Sequence, residues 1–448
     1  MNMPVNDLSE NEKDSILSIL EDLIAIPSVK GDAAADAPYG LNTLEALRYM
    51  LNLGKANGFK TKNLQGRAGY IEWGSGSKMI GILCHLDVVP AGEGWTEDPF
   101  TLRSENGRLI GRGINDDKGP AVCILYAMIR LKKSGYIPKC RIRLILGLDE
   151  ECGGDDMEHY KKVEELPTLG FTPDADFPAI FAEKGILQLS LTASGCTHLK
   201  VNAGERPNMV PARCTVQNTE TGEIVEAFGI PAHGSKPSLG VNAISEALKK
   251  LDRETIETTP LLRFFAETIG EDTTGKRLIK DLPADVSGSL TANAGVLMID
   301  KNQSQLLLDI RYPVTASSDA LLSEIREKAA EYGIRCDIHN HQLPLYKDLS
   351  DPLITTLIAV YERYLSSVTF DESVTEEDKN KFLQTPAKPL AIGGGTYARS
   401  MPGLVAFGPS FPWEKDQAHQ IDESMSEDMI YLLVRIYEDA IKALAGIL

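Results

Sequence analysis

Apolar positions recur in the first part of the chain at helical spacing and then in short unbroken runs. Ile16, Leu17, Ile19, Leu20, Leu23 and Ile24 fall on one helical stripe, with Ser9 and Asp14 as candidate caps upstream. A second helix is predicted over about residues 41–55, ending before Gly58. The runs 69–73, 79–84 and 141–148 are short and apolar, which predicts buried strands. Residues 119–133, between the last two, predict a helix. Strands alternating with helices predict an α/β domain whose sheet is covered on both faces.

The texture changes near Gly185. From Ile186 to about Ile338, apolar and polar residues alternate, as in Leu187-Gln188-Leu189-Ser190-Leu191 and over 214–217 and 305–310. Helical patterns at 242–251 and 321–332 interrupt the alternation. This predicts an inserted α+β domain. After about Leu345 the α/β texture returns, with helices at about 353–365 and 426–444. The predicted organisation is one domain formed by 1–185 and 346–448, with a second inserted over 186–345. The acidic stretch 371–381 predicts an exposed loop or a solvated helix start.

Composition narrows the function classes. A length of 448 residues favours two domains, and 43% apolar with 25% charged residues is ordinary for a soluble globular protein. Lys plus Arg is 46 against 64 Asp plus Glu, a formal net charge of −18. Such a surface repels nucleic-acid phosphates and anionic lipids, so neither is an expected partner. The N-terminal residues lack a basic segment followed by an apolar one, and no apolar run nears the roughly 20 residues of a membrane span. A cytoplasmic location is expected. The seven cysteines are odd in number, scattered and without a CxxC pair, which argues against a disulfide framework or a thiolate zinc site. Small buried packing residues are expected instead, Cys84 and Cys152 among them.

Five separated segments offer metal ligands, each at an expected strand end. They are His85-Leu86-Asp87; Gly111-Arg112-Gly113-Ile114-Asn115-Asp116-Asp117-Lys118-Gly119; Asp149-Glu150-Glu151; Pro173-Asp174-Ala175-Asp176, followed by Glu183-Lys184-Gly185; and Asp416-Gln417-Ala418-His419. Singly, each also suits a structural histidine or a solvated turn. Three acids at one strand end are more telling, because their mutual repulsion calls for a cation. Together the segments supply two histidines and several carboxylates, donors suited to zinc without a cysteine. Open α/β sheets place their sites where several strands end. His159, His198, His339 and His341 lack such company and are read as non-catalytic. Trp95, Tyr346 and Trp413 suit pocket lining or core packing equally.

In this order the motifs His85-x-Asp87, Gly111-Arg112-Gly113 with Asp116-Asp117-Lys118-Gly119, Asp149-Glu150-Glu151, Pro173-Asp174-Ala175 and His419 resemble the di-zinc aminoacylase, carboxypeptidase and dipeptidase family. Within it the chain is most similar to PepV-type bacterial dipeptidases. The resemblance spans about residues 85–419. It implies a zinc-peptidase catalytic domain, with a mixed sheet flanked by helices, and an inserted α+β lid. It implies two zinc ions per chain, with manganese or cobalt as alternatives. Asp116 would bridge them, His85 and Asp174 completing one site and Glu151 and His419 the other. Glu150 would be the general base and Asp87 the partner of His85. The Asp116–Asp117 peptide bond would be cis.

The resemblance extends to the inserted segment. His233, in Ala232-His233-Gly234-Ser235, would stabilise the oxyanion, Asn208 would contact substrate, and Arg311 would lie near its terminus. Gly393-Gly394-Gly395-Thr396-Tyr397-Ala398-Arg399 matches a substrate-binding loop, with Gly394, Gly395, Thr396 and Arg399 as contacts. Backbone N–H groups of a glycine-rich loop suit a terminal carboxylate, and the absence of GxxxxGK[ST] excludes a phosphate loop. The expected activity is hydrolysis of dipeptides by a metal-activated water. An N-acyl amino acid amidohydrolase shares the same motifs, and a non-catalytic binding protein is disfavoured by the intact Glu150. The long inserted segment favours a monomer, a homodimer being the alternative.

Overall fold

The computed structural model describes residues 8–280, 282–367, 370, 374–384, 387–415 and 417–448. They form two compact units. The first comprises residues up to Phe181, Lys347–Leu390 and Thr396–Leu448; the second comprises Ala182–Tyr346 and Ala391–Gly395.

The first unit is α/β. Its sheet runs in the order Lys60–Leu64, Ala68–Trp73, Arg141–Gly147, Met79–His85, Leu169–Thr172 and Leu404–Ala406, with Ile180 paired to Ala406 at the far side. Met79–His85 is parallel to both neighbours, whereas the first two strands form an antiparallel hairpin. The central strand is buried at every position, as an unbroken apolar run requires. Alternation in Ala68–Trp73 shows how both faces are covered. Gly69 and Ile71 lie beneath helix Leu41–Ala56, near Leu47, Leu51 and Gly54. On the opposite face, Glu72 pairs with Arg143, which lies over the Tyr70 ring and donates to Tyr160 of helix Asp155–Val163. Helix Glu10–Ile24 begins with a capping box in which Ser9 and Glu12 satisfy each other's backbone donors. Helix Glu427–Ile447 packs against Lys118–Lys133 and Pro352–Tyr364.

The second unit is a seven-stranded antiparallel sheet, in the order Ile224–Phe228, Arg213–Asn218, Leu199–Ala203, Thr291–Ile299, Gln303–Tyr312, Gly185–Ser194 and Arg335–Gln342. One face is apolar. Leu187, Leu189 and Leu191 lie with Leu306, Leu308 and Ile310 in a single core beneath helices Ala243–Leu248, Pro260–Thr268 and Ser318–Ala330. The helix Pro260–Thr268 has no counterpart in the sequence-based prediction. Proline sits in its first turn, where a missing N–H costs nothing, and it buries Leu261, Leu262, Phe264 and Phe265. The acidic stretch is partly helical, at Glu376–Gln384, while residues 371–373 lie outside the described residues.

The parallel strands Met79–His85 and Leu169–Thr172 pair Gly81 with Gly170. A Cβ on Gly170 would fall inside the van der Waals envelope of the Gly81 carbonyl oxygen. Backbone cannot move aside there as a side chain could. Gly170→Ala is expected to destabilise the protein by about 3 kcal/mol, read by denaturant unfolding. An unchanged midpoint would show that the two strands separate freely at this position.

Candidate metal centre

In a parallel sheet neighbouring strands end at the same edge, and three predicted ligand segments meet there. His85 ends the strand Met79–His85. Glu150 and Glu151 follow Arg141–Gly147, and Asp174 follows Leu169–Thr172. Of the remaining two, the segment 111–119 directly follows the strand Arg108–Ile110, and only the His419 segment, nine residues beyond Ser410, departs from the expectation of strand ends. Asp116 lies in the turn that enters helix Lys118–Lys133. His419 lies in a turn with φ 62°, a left-handed conformation. Asp416 lies outside the described residues.

The ligand atoms form two groups that share Asp116: His85, Asp116 and Asp174, and Asp116, Glu151 and His419. Within each group they all lie within 4.8 Å of one another. Asp116 Oδ1 is 2.8 Å from His85 Nε2, and its Oδ2 is 3.1 Å from His419 Nε2. Each oxygen of one carboxylate therefore serves a different imidazole. Asp174 Oδ1 is 3.8 Å from His85 Nε2, and Glu151 is 3.0 Å from His419 Nε2. The Asp116–Asp117 peptide bond is cis. No other group of three or more such ligands occurs among the described residues.

Asp87 lies beside His85, as the resemblance implies, and has a second set of contacts. His85 Nδ1 lies 2.9 Å from the backbone carbonyl oxygen of Asp87, and 3.6 Å from its carboxylate. A proton on Nδ1 donates to that carbonyl, which leaves the Nε2 lone pair facing the acids. The Asp87 carboxylate instead accepts the backbone N–H groups of Glu150, at 3.3 Å, and Glu151, at 3.1 Å. Asp87 thus holds the acidic turn as well as partnering the ring.

Sequence patterns did not single out the residues that brace this turn. The Tyr397 ring stands edge-on to His85, centroids 5.8 Å apart, and its hydroxyl donates to Asp156 at 2.6 Å. The same Asp156 oxygen accepts N–H groups from Leu148 and Asp149 at 2.7 and 3.0 Å. Lys30 reaches Asp149 at 2.5 Å. Tyr397 was legible only as part of the glycine-rich motif, and Asp156 only as one acid among several.

The electrostatics suit a cation. Burial raises the Glu150 carboxyl well above its usual range, the charge of Asp174 adding to the effect. Burial, reinforced by Asp116, pushes Asp174 up to about 6. For Asp116 burial acts upward, but hydrogen bonds from His419 and His85 outweigh it and hold the carboxyl well below its usual range. Hydrogen bonds to Asp116 and Glu151 raise His419 to about 10. The acids draw protons onto both imidazoles, and divalent cations would supply that positive charge in their place. The donor set of imidazole and carboxylate fits zinc, manganese or cobalt.

Predicted residues in the second unit form a cluster of their own. The Asn208 carbonyl accepts the Gly234 N–H at 2.7 Å, and His233 Nδ1 lies 2.7 Å from the Ser235 hydroxyl. Burial, then the charge of Arg311, lowers the His233 pKa and favours a neutral imidazole. Arg311 is clamped by Asp309 through two bonds of 2.9 and 2.8 Å and donates to the Gly393 carbonyl at 3.3 Å. Gly394 and Gly395 belong to this unit, while Thr396 and Arg399 belong to the first. Thr396 caps the short turn Tyr397–Ser400, which carries Arg399.

Of the remaining histidines, His341 meets the Tyr312 hydroxyl at 2.9 Å and His198 lies 3.4 Å from Cys196 Sγ. Cys84 is buried as expected, but Cys152, in the turn after Glu151, is exposed.

Residues 81–443 match the family described as Peptidase family M20/M25/M40. The chain belongs to that family. This metallopeptidase is 35% identical to a dipeptidase-named protein, YtjP of Bacillus subtilis (strain 168), over 97% of this chain and 98% of that one. It is 34% identical to a dipeptidase-named protein of Staphylococcus epidermidis, over 96% and 97% of the two chains. Among solved structures it resembles an M20 family metallo-carboxypeptidase of Sulfolobus solfataricus, with TM-score 0.59, 17% identity, and 98% and 100% of the chains covered. It likewise resembles an aminoacylhistidine dipeptidase of Vibrio alginolyticus, with TM-score 0.57, 12% identity and 98% of each chain covered. These likenesses show the shared fold.

Asp156 generates a testable pH dependence. Burial raises its carboxyl to about 6, against an ordinary value of 3.8, although hydrogen bonds from Tyr397 and the backbone oppose this. A carboxyl raised by folding stabilises the protein most below its unfolded pKa, and that contribution is lost as pH rises through 6. Asp156→Asn should therefore gain on the wild type by up to about 3 kcal/mol between pH 4 and pH 7. Urea melts at the two pH values measure this, and a constant difference would sink the assignment.

Proposed function

We propose that this peptidase is a dipeptidase that hydrolyses the peptide bond of short peptides, chiefly dipeptides, with two zinc ions per chain. The observation that carries the proposal is the Asp116 carboxylate, with one oxygen facing His85 and the other His419. The dipeptidase-named relatives at 33–35% identity support the substrate class.

In this reading His85, Asp116 and Asp174 hold one ion and Asp116, Glu151 and His419 the other. Ions bound there would polarise a carbonyl and lower the pKa of water. Glu150 takes the proton of the attacking water and returns it to the leaving amine. The raised affinity of its carboxyl for a proton suits both steps. Asp87 keeps Glu150 and Glu151 in register through their N–H groups. His233 donates to the developing oxyanion. Asn208, Arg311, Gly394, Gly395, Thr396 and Arg399 bind the peptide and its terminal carboxylate, Arg311 having been oriented by Asp309. The inserted domain serves as a lid that limits substrate length. We further infer a cytoplasmic monomer; among the described residues no helix is long and apolar enough to cross a membrane.

Two experiments test the proposal. Glu150→Gln should lower kcat by about 10³-fold while metal content stays at the wild-type level; undiminished turnover with metal bound would remove Glu150 from its role. The second is a panel of dipeptides, tripeptides and N-acetyl amino acids, assayed after chelation and again after zinc or manganese is restored. Metal-dependent cleavage confined to dipeptides is the expected result. Cleavage confined to N-acetyl amino acids would move the protein to the amidohydrolases.

A further inference from the structure

The turn that carries Asp116 belongs to no sheet or helix, so its N–H groups need acceptors from elsewhere. Glu423 accepts four of them, while those of Arg112 and Ile114 go to the Pro99 and Gly111 carbonyls. Glu423 is completely buried. Its Oε1 accepts the N–H groups of Asn115 at 2.7 Å and Asp116 at 3.1 Å. Its Oε2 accepts the Gly113 N–H at 2.9 Å and Arg112 Nη1 at 2.8 Å. The backbone carbonyl of Glu423 accepts the Gly111 N–H as well, at 3.0 Å.

We propose that Glu423 is a positioning residue of the metal centre: its carboxylate fixes the turn presenting Asp116 and locks it to the segment that carries His419. The inference rests on the metal-centre reading above. Both oxygens of Glu423 are taken up by four donors, so they serve the geometry rather than an ion. Arg112 offsets its charge and is itself held, lying over the Trp95 ring with 5.0 Å between guanidinium carbon and centroid and donating to the Ala91 carbonyl at 3.4 Å. Glu423 stands four residues after His419. Immediately beyond it, Ser424–Ser426 pairs with Arg108–Ile110, immediately before the Asp116 turn. One carboxylate thus sets the distance between the shared ligand and the second imidazole. An error there would disturb both ligand groups, because Asp116 belongs to each.

Glu423→Gln tests this. The amide replaces one acceptor oxygen with a donor that must face two N–H or guanidinium donors, while side-chain volume is kept. The control is Glu72→Gln, which damages a comparable buried pair, with Arg143 at 2.7 Å, remote from the ligands. Zinc affinity, the visible spectrum of the cobalt-loaded protein, and the melting temperature of metal-free protein are measured for all three proteins. Glu423→Gln should bind zinc about tenfold or more weakly and shift the cobalt spectrum, as loss of a ligand's support does. Glu72→Gln should lower the melting temperature alone. Wild-type zinc affinity and cobalt spectrum in Glu423→Gln overturn the proposal, as does an equal loss of affinity in Glu72→Gln at matched stability. If Glu423→Gln does not fold, Glu423→Asp against Glu72→Asp gives the same comparison. Wild-type protein that binds neither metal overturns the metal-centre reading itself, a result distinct from variants that load like the wild type.

Discussion

Carboxylates crowded at the end of a buried sheet repel one another, and the first unit is organised around containing that repulsion. Asp116, Glu150, Glu151 and Asp174 converge at one edge, where burial raises Glu150 and Asp174. Two imidazoles hold Asp116 ionised from opposite sides. Three hydrogen-bonded polar groups aim these side chains: the Asp87 carboxylate on the acidic turn, Asp156 with Tyr397 behind it, and Glu423 beneath the Asp116 turn. A site assembled from mutually repelling groups needs such bracing, because any slack would let the acids turn outward to solvent.

The sheet explains why so much of this was legible. An unbroken apolar run followed by His85, and another followed by three acids, predict two buried strands of one α/β sheet, and the structure makes them parallel neighbours. Parallel neighbours end together, so proximity followed from topology. Alternation in the second unit was equally readable, since Leu187, Leu189 and Leu191 sit on the face that the periodicity marks.

What remained hidden lies in turns and in contacts between distant segments. Nothing in the local sequence shows that the Asp87 carboxylate reaches backbone N–H groups more than sixty residues away while its carbonyl oxygen meets the imidazole. Glu423 reads as one more acid near the C-terminus, and only the fold brings it to residues 112–116. The helix Pro260–Thr268 was legible in principle, since proline at its start and apolar residues at 261, 262, 264 and 265 are helical signals, but it is only nine residues long. Cys152 departs from the packing role expected of it because the turn after Glu151 is open to solvent at Cys152 and Gly153.

The two imidazoles differ in their surroundings. The His85 side chain has no exposed surface, whereas that of His419 keeps 52% of its surface in contact with solvent. Under the proposed reading, two ions sharing one carboxylate would not be equivalent in kinetics. The residues that would hold the ion beside His419 are the more open to the medium, so that ion would exchange the faster of the two. The centre would then answer to the metal supply around it through one ion while the other stays as a resident part of the fold.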